Sequence, residues 1–447
     1  MRRLFGTDGI RGKANEYPMT PELMLSLGKA IALYFSKKNN PPKIVIGKDT
    51  RVSGYMIETA ITSGMVSMGA TVLLIGPMPT PAISHLTRSF NADAGIMISA
   101  SHNPAEDNGI KIFDSKGYKL SDDEEHEIED IIFSEKIVGK ESSNIGKAYR
   151  VDDAKGRYIE FAKSSIKDFS LSGIKIVVDC ANGAAYSVAP KIFSELGASV
   201  IAINNQPNGY NINLNCGATN IEKLSKIVVT EKADIGIALD GDADRVVVVD
   251  SHGKEINGDN LIARLAIELK SKGKLSKDTV VTTVMSNSSF ENFLNKNGIS
   301  VVRTKVGDRY VIDEMRKGGF NFGGEQSGHI IFGDYSTTGD GIITSLQLLR
   351  LMKSSGKSVS SLLQIFKHYP QVLHNVEVKE KKPIEQLEKT SKILSVVEKA
   401  LKDKGRVLIR YSGTENICRI MVEGKNLRQV KLFAARIAKA VKEEIGK

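Results

Sequence analysis

The chain has 447 residues, 41% hydrophobic and 26% charged, with 62 basic and 52 acidic residues. That composition can build buried cores and excludes wholesale disorder, and at ~150 residues per domain it suggests about three domains. No apolar run approaches the ~18 residues of a membrane span, and the first residues carry no apolar stretch able to serve as a signal peptide. Cys180, Cys216 and Cys418 lie far apart, with no C-x-x-C, which fits a reducing cytoplasm and argues against disulfides or a cysteine zinc site.

The basic excess is local. Residues 353–447 hold 21 basic and 10 acidic residues, the preceding 352 hold 41 and 42. Such a segment suits a phosphorylated small molecule or nucleic acid. Lysines on solvated helix faces account for most of it, and no aromatic interleaving or nucleic-acid motif accompanies the charge.

In chain order, one pattern occurs three times. Lys43–Gly47 leads through a helical stretch to Gly69-Ala70-Thr71-Val72. Lys175–Asp179 leads to Gly197-Ala198-Ser199-Val200, and Thr279–Thr283 to Gly298-Ile299-Ser300-Val301. Each reads as strand, helix, glycine C-cap and strand, a βαβ unit that predicts a parallel sheet with covered faces. The glycine corners are 128 and 101 residues apart, a domain's length each time. Three related α/β domains are therefore expected. The tail differs: Arg406–Arg410 and Ile417–Val422 alternate like half-buried strands and a basic amphipathic helix, Leu427–Ile445, follows, which predicts a smaller α+β domain. Linkers are expected at Lys140–Gly146 and His368–Gln371. The acidic run from Ser121 to Glu127 reads as a capping box, Ser121 with Glu124, and not as a metal site.

Four loops carry the chemistry. Asp240-Gly241-Asp242-Ala243-Asp244-Arg245 lies between two strand-like runs, and carboxylates at i, i+2 and i+4 suit a hard divalent cation. An EF-hand is excluded, because Arg245 and Ser251 stand where glycine and glutamate are needed. Ala94–Ser99 runs as a strand into Ala100-Ser101-His102-Asn103-Pro104, which predicts Ser101 as a nucleophile at an exposed strand end. No G-x-S-x-G elbow surrounds it, and in an extended strand Ser101 and His102 point apart, so His102 is not the expected base. Gly323-Gly324-Glu325-Gln326-Ser327-Gly328-His329 offers close backbone approach and polar contacts. Arg410-Tyr411-Ser412-Gly413-Thr414-Glu415, with Arg419 one strand on, predicts a phosphate nest. No P-loop and no G-x-G-x-x-G is present, which argues against common nucleotide-binding enzymes.

These loops in this order, with Phe5-Gly6-Thr7-Asp8-Gly9-Ile10-Arg11-Gly12 and Val306-Gly307-Asp308-Arg309-Tyr310-Val311, resemble the α-D-phosphohexomutase superfamily across essentially the whole chain, and within it the amino-sugar branch. One departure is Asn416, where the superfamily's last loop usually has proline. The resemblance implies an α/β enzyme: three related domains with mixed, mostly parallel sheets and a C-terminal α+β domain around a central cleft. The segments expected are 1–145, 146–252, 253–368 and 369–447, with one loop each.

It also implies an isomerase that interconverts glucosamine 6-phosphate and glucosamine 1-phosphate, feeding UDP-N-acetylglucosamine synthesis. Glucose- or mannose-phosphate mutase is the alternative, and a nucleic-acid-binding protein a remote one. Ser101 would carry the phosphoryl group, pass it to the sugar to give a 1,6-bisphosphate, and take back the other phosphate after the sugar reverses. One Mg²⁺ would be held by Asp240, Asp242, Asp244 and a Ser101 phosphoryl oxygen. Arg245 would steady the moving phosphoryl group, with Lys111, Arg11 and His329 as candidates for proton handling or charge stabilisation. Glu325 and Ser327 would hold sugar hydroxyls, and Arg410, Ser412, Gly413, Thr414 and Arg419 the non-reacting phosphate. The expected partner is a phosphosugar, with no nucleic acid or membrane; monomer and homodimer are both left open.

Overall fold

The structure, a computed structural model, describes residues 4–6, 8–37, 41–134, 137–412 and 416–447. They form two compact units: residues 1–285 with 301–365, and residues 286–300 with 366–447.

The first unit contains three sheets. The first has six strands, β1 (Ile10–Lys13), β2 (Lys43–Lys48), β3 (Thr71–Pro77), β4 (Ala94–Ile98), β5 (Asp107–Asp114) and β6 (Lys147–Arg150), in the order β1-β5-β4-β2-β3-β6. β2 runs parallel to β3 and β4, and β5 runs antiparallel to β4. The second has β7 (Lys175–Asp179), β8 (Ser199–Ile203), β9 (Ile235–Leu239), β10 (Val246–Asp250) and β11 (Glu255–Ile256), in the order β11-β10-β9-β7-β8. The third has β12 (Thr279–Thr283), β13 (Ser300–Thr304), β14 (Phe322–Gly324) and β15 (Ile330–Phe332), in the order β13-β12-β14-β15. The central strands are buried along their length, as in Ile176-Val177-Val178 and Ile235–Leu239, because helices cover a parallel sheet on both faces. The glycines that close the three repeats, Gly69, Gly197 and Gly298, all have positive φ, as C-cap glycines do.

The three sheets share a further step. A strand parallel to its neighbour is followed at once by an antiparallel one: β4 by β5, β9 by β10, β14 by β15. The turn between them is the serine loop, the acidic loop and the Glu325–His329 loop in turn. The chemistry-bearing loops are thus equivalent hairpin tips.

In the second unit β16 (Gln371–Glu377), β17 (Gly405–Tyr411) and β18 (Ile417–Gly424) form an antiparallel sheet in the order β16-β18-β17. The helices Glu388–Leu401 and Leu427–Ile445 supply Val397, Leu401, Val430, Phe433, Ile437 and Val441 to its core. The fourth loop is again a hairpin tip, between β17 and β18.

Two features depart from the expected segmentation. β6 pairs with β3, so the first sheet extends past residue 145 to Arg150. The helix Ser288–Lys296, expected in the third repeat, lies in the stretch that belongs to the second unit. There Ser288 N–H donates to Glu423 Oε1 at 2.8 Å, and Asn287 Nδ2 to the carbonyl of Tyr369 at 3.0 Å. The acidic run forms the expected capping box: Ser121 and Glu124 satisfy each other's backbone N–H. Among the described residues no helix is long and apolar enough to cross a membrane.

Candidate active site

Ser101 is buried, 1% exposed, and not on an exposed strand end. Its backbone is left-handed, φ +53°, which turns the side chain out of the strand path. Ser101 Oγ donates to Asp240 Oδ2 at 2.7 Å, across two sheets. The same turn overturns the expectation for His102. In an extended strand the two side chains diverge, but here His102 Nδ1 lies 3.3 Å from Ser101 Oγ. Burial, then the cations of Arg245 and Arg11, hold the His102 imidazole below its ordinary pKa.

The acidic loop sits directly beneath. A Cβ on Gly241 would lie 2.4 Å from the carbonyl oxygen of Ser101, so only glycine permits this approach. Asp240, Asp242 and Asp244 are all buried, and each offers a carboxylate oxygen within 4.8 Å of the others. Burial, then repulsion by Asp244 and Asp242, pushes the Asp240 carboxyl well up. Burial works the same way on Asp242, but the charge and hydrogen bond of Lys111 and the hydrogen bond of Thr80 together outweigh it and hold that carboxyl low. Asp242 Oδ1 and Asp244 Oδ1 are buried without a hydrogen-bond partner. Buried carboxylate oxygens without a hydrogen bond are costly, and an all-oxygen cluster is the donor set of a hard divalent cation. The residues fit Mg²⁺.

Lys111 lies on β5, opposite Met97 of β4. Its Nζ is 2.8 Å from Asp242 Oδ2 and 3.2 Å from Asp244 Oδ2. Burial opposes its charge, but Asp242, Asp244 and Asp8 overcome that and raise its pKa well above the ordinary value. Lys111 is thus a fixed ammonium here, a charge partner more than a proton carrier. Thr80 Oγ1 donates to Asp242 Oδ2 at 2.6 Å.

Above these groups is a cavity of about 420 Å³, within the roughly 300–1,000 Å³ of small-ligand sites. Asp8, Arg11, His102, Arg245, Glu325 and His329 line it. Arg11 pairs with Asp8 and reaches the carbonyl of Ala100 at 3.4 Å. Arg245 N–H donates to Asp240 Oδ1 at 3.2 Å. Glu325 Oε1 accepts from Gly307 N–H at 3.0 Å. His329 Nε2 is 3.3 Å from the Gly339 nitrogen and 3.4 Å from Asp308 Oδ2. Ser327, expected beside Glu325, is exposed at the loop's tip.

Several contributors escaped the sequence reading. Lys119 bridges Asp8 and Asp308, tying the first sheet's loops to the Val306–Val311 segment. Burial works against ionised Asp8, yet Lys111, Lys119 and Arg11 together hold its carboxyl well below the usual range. Asp49, Arg51 and Asn213 hold the serine loop from behind. Asp8 and Asp308 stood inside quoted motifs; Asp49 and Arg51 stood only in a polar stretch after a strand.

In the second unit, Arg410 and Arg419 are directly opposed across β17 and β18. Ser412 is buried; its N–H donates to the carbonyl of Ile417, and its own carbonyl accepts from Lys381 Nζ at 2.8 Å. Gly413 and Thr414 lie outside the described residues.

Four consecutive stretches match the domains of one family, phosphoglucomutase/phosphomannomutase: α/β/α domain I at residues 2–138, domain II at 156–253, domain III at 257–369 and the C-terminal domain at 373–440. Phosphoglucosamine mutases of Geotalea daltonii and Geobacter metallireducens are each 52% identical to the chain over 449 residues, covering 100% of it and 99% and 100% of themselves. The chain belongs to the phosphoglucosamine mutase family. It is a phosphosugar mutase, an isomerase of the phosphohexomutase group. The fold is shared with a phosphoglucomutase/phosphomannomutase family protein of Burkholderia thailandensis (TM-score 0.82, 22% identity, 99% of this chain and 97% of that one). It is shared too with Aspergillus fumigatus N-acetylphosphoglucosamine mutase, solved with GlcNAc-6P and magnesium (TM-score 0.67, 18% identity, 100% and 96%).

Proposed function

We propose that this chain interconverts glucosamine 6-phosphate and glucosamine 1-phosphate through a phosphoserine at position 101 and glucosamine 1,6-bisphosphate. The observation that carries the reading is Ser101 Oγ set 2.7 Å from the carboxylate of Asp240, beside a cavity lined by Arg11 and Arg245. Phosphoryl transfer is mainly positioning and charge stabilisation, with little covalent chemistry for the protein to do. Arg11 and Arg245 supply guanidinium groups for the oxygens of the moving phosphoryl group. When Ser101 receives a phosphoryl group, its proton must leave. Two acceptors are in reach, Asp240 Oδ2 at 2.7 Å and His102 Nδ1 at 3.3 Å. Lys111 offsets the charge of Asp242 and Asp244 from below. Asp240, Asp242 and Asp244 would hold Mg²⁺, which when bound offsets phosphate charge and polarises a phosphoryl oxygen.

Glu325 and Ser327 belong to this reading as contacts for sugar hydroxyls. Arg410, Ser412, Gly413, Thr414 and Arg419 belong to it as the grip on the non-reacting phosphate. Arg410 and Arg419, directly opposed on neighbouring strands, offer two guanidinium groups to one phosphate. Four segments remain in this reading, with the first boundary moved to follow Arg150 and residues 286–300 grouped with the C-terminal segment.

The test is phosphorus NMR of glucosamine 6-phosphate incubated with the protein, Mg²⁺ and a trace of hexose bisphosphate. A growing 1-phosphate resonance is expected, with kcat/KM on glucose and mannose phosphates lower than on the amino sugar. No conversion of the amino sugar alongside conversion of glucose or mannose phosphate would overturn the substrate assignment.

A further inference from the structure

The peptide groups on either side of Ser101 are held by side chains that line no part of the cavity. The N–H of Ser101 donates to Ser99 Oγ at 2.9 Å, and Ser99 Oγ donates to Asp49 Oδ2 at 2.5 Å. The carbonyl of Ser101 accepts from Asn213 Nδ2 at 2.9 Å and from Arg51 Nη2 at 3.4 Å. That Arg51 nitrogen also donates to the carbonyls of Asn103, at 2.6 Å, and Pro104, at 3.4 Å. Arg51 closes the arrangement on Asp49: their side chains form an ion pair, and Arg51 N–H donates to Asp49 Oδ1 at 2.9 Å.

Both side chains are 0% exposed. Arginine is seldom buried, and a buried ion pair is weak evidence for stability as such. Here the guanidinium faces a fan of three carbonyls from one loop. That loop holds Ser101 in a left-handed conformation that a residue with a Cβ seldom adopts. Fixing the N–H and the C=O of one residue fixes both its backbone torsions, and so where its Cβ points; from that Cβ the bond to Asp240 sets the Oγ.

We propose that Asp49 and Arg51 are positioning residues, acting through Ser99 and the loop carbonyls to hold the Ser101 backbone left-handed and its Oγ aimed at Asp240. The proposal rests on reading Ser101 as the phosphoryl carrier. Both half-reactions use the same Oγ, one giving up the phosphoryl group and one taking it, so a misaimed Oγ slows both. A displacement of about 1 Å at a reacting group can cost about 10²-fold in rate. Sugar binding, which uses the cavity wall, is left intact. Lysine cannot replace Arg51, because one ammonium nitrogen cannot both pair with Asp49, as Nη1 does, and reach the loop carbonyls, as Nη2 does.

The experiment compares Arg51→Lys and Ser99→Ala with the parent, each as full-length protein charged with phosphate on Ser101. Single-turnover transfer to glucosamine 6-phosphate is followed by intact mass, and steady-state kcat and KM are measured well below each variant's Tm. The expected result for Arg51→Lys is transfer slowed by about 10- to 100-fold, with KM changed by less than about 3-fold. Ser99→Ala removes the acceptor for the Ser101 N–H and the donor to Asp49 but leaves the Arg51 contacts in place, and should give a smaller loss of the same kind. It carries the test if Arg51→Lys does not fold. Parental transfer rates with only a lowered Tm, or a raised KM at unchanged kcat, overturn the proposal. Turnover that survives in Ser101→Ala overturns the phosphoserine reading instead, so the two failures are told apart.

Discussion

Ser101 Oγ and Asp240 Oδ2, 139 residues apart in the chain, meet at 2.7 Å. Each stands at the tip of a hairpin that follows a parallel strand, in sheets built to the same plan. The contact couples a hydroxyl able to carry phosphate to a carboxylate cluster able to bind the cation such a phosphate needs.

Loss of the hydroxyl should remove chemistry and spare the fold. Ser101→Ala is expected to abolish mutase turnover while its Tm stays within a few degrees of the parent, since only the side-chain hydrogen bonds to Asp240 and His102 are lost. Phosphopeptide mapping of the parent should find the stable phosphate on Ser101. Near-normal turnover in the alanine variant would sink the covalent mechanism.

The acidic cluster should bind one Mg²⁺ per chain and prefer no soft metal. Chelation should end activity and Mg²⁺ restore it. Asp242→Asn removes a ligand charge and leaves Lys111 paired with Asp244, so folding should persist. Calorimetric titration is expected to show Mg²⁺ affinity reduced by 10-fold or more, on the scale of about 1.5–3 kcal/mol for a contact to a charged group. Unchanged affinity, or full activity after exhaustive chelation, would remove these residues from the metal site.

The repeats and the loops were legible because their signals are local. β-branched runs such as Lys175–Asp179 ended by G-x-[ST]-V corners mark strands and helix ends, and three aspartates at alternate positions have few purposes. Other features depend on non-local pairing. Nothing in Ala94–Ile98 says that the next strand returns antiparallel, so the shared hairpin plan was not visible. Serine carries no signal for positive φ as glycine or asparagine does, so the burial of Ser101 and its contact with His102 were misread. Asp49-Thr50-Arg51 reads as an ordinary polar turn until the Ser101 loop folds onto it. The helix Ser288–Lys296 fits a βαβ repeat by sequence, and it takes contacts distant in sequence, such as those with Glu423, Tyr369 and Phe366, to show that it belongs with the C-terminal unit.

Asp340 gives the stability curve a slope of known sign. It caps the helix Gly341–Ser355, accepting from the N–H groups of Ile342 and Ile343, and its Oδ2 accepts from Tyr158 at 3.0 Å. Burial pushes its carboxyl up to about 6 from 3.8, against the partial pull of these hydrogen bonds. Between those values the unfolded chain has lost the proton and the folded chain keeps it. The contribution is therefore fully present below the unfolded value and is lost as pH rises to about 6, an effect of about 3 kcal/mol at ~1.4 kcal/mol per unit. Asp340→Asn keeps a capping oxygen but cannot ionise. Its Tm relative to the parent should rise between pH 4 and pH 7; a difference that stays flat would show that Asp340 does not titrate in this range.

The last prediction concerns the basic C-terminal unit. Arg410 and Arg419 face each other across an antiparallel pair, and like charges so placed destabilise a sheet unless something offsets them. A phosphate offers oxygens for both guanidinium groups. The bisphosphate must present either phosphate to Ser101, so one grip has to serve the phosphate at either end of the sugar. Arg419→Ala should then raise KM for the 1-phosphate and the 6-phosphate alike. A charge-assisted contact of roughly 1.5–3 kcal/mol corresponds to about 10- to 150-fold. Mg²⁺ affinity and the phosphate on Ser101 should not change, because Arg419 belongs to the other compact unit from the acidic and serine loops. An unaltered KM for both substrates, or a loss of Mg²⁺ affinity in its place, would show that the non-reacting phosphate is held by other residues.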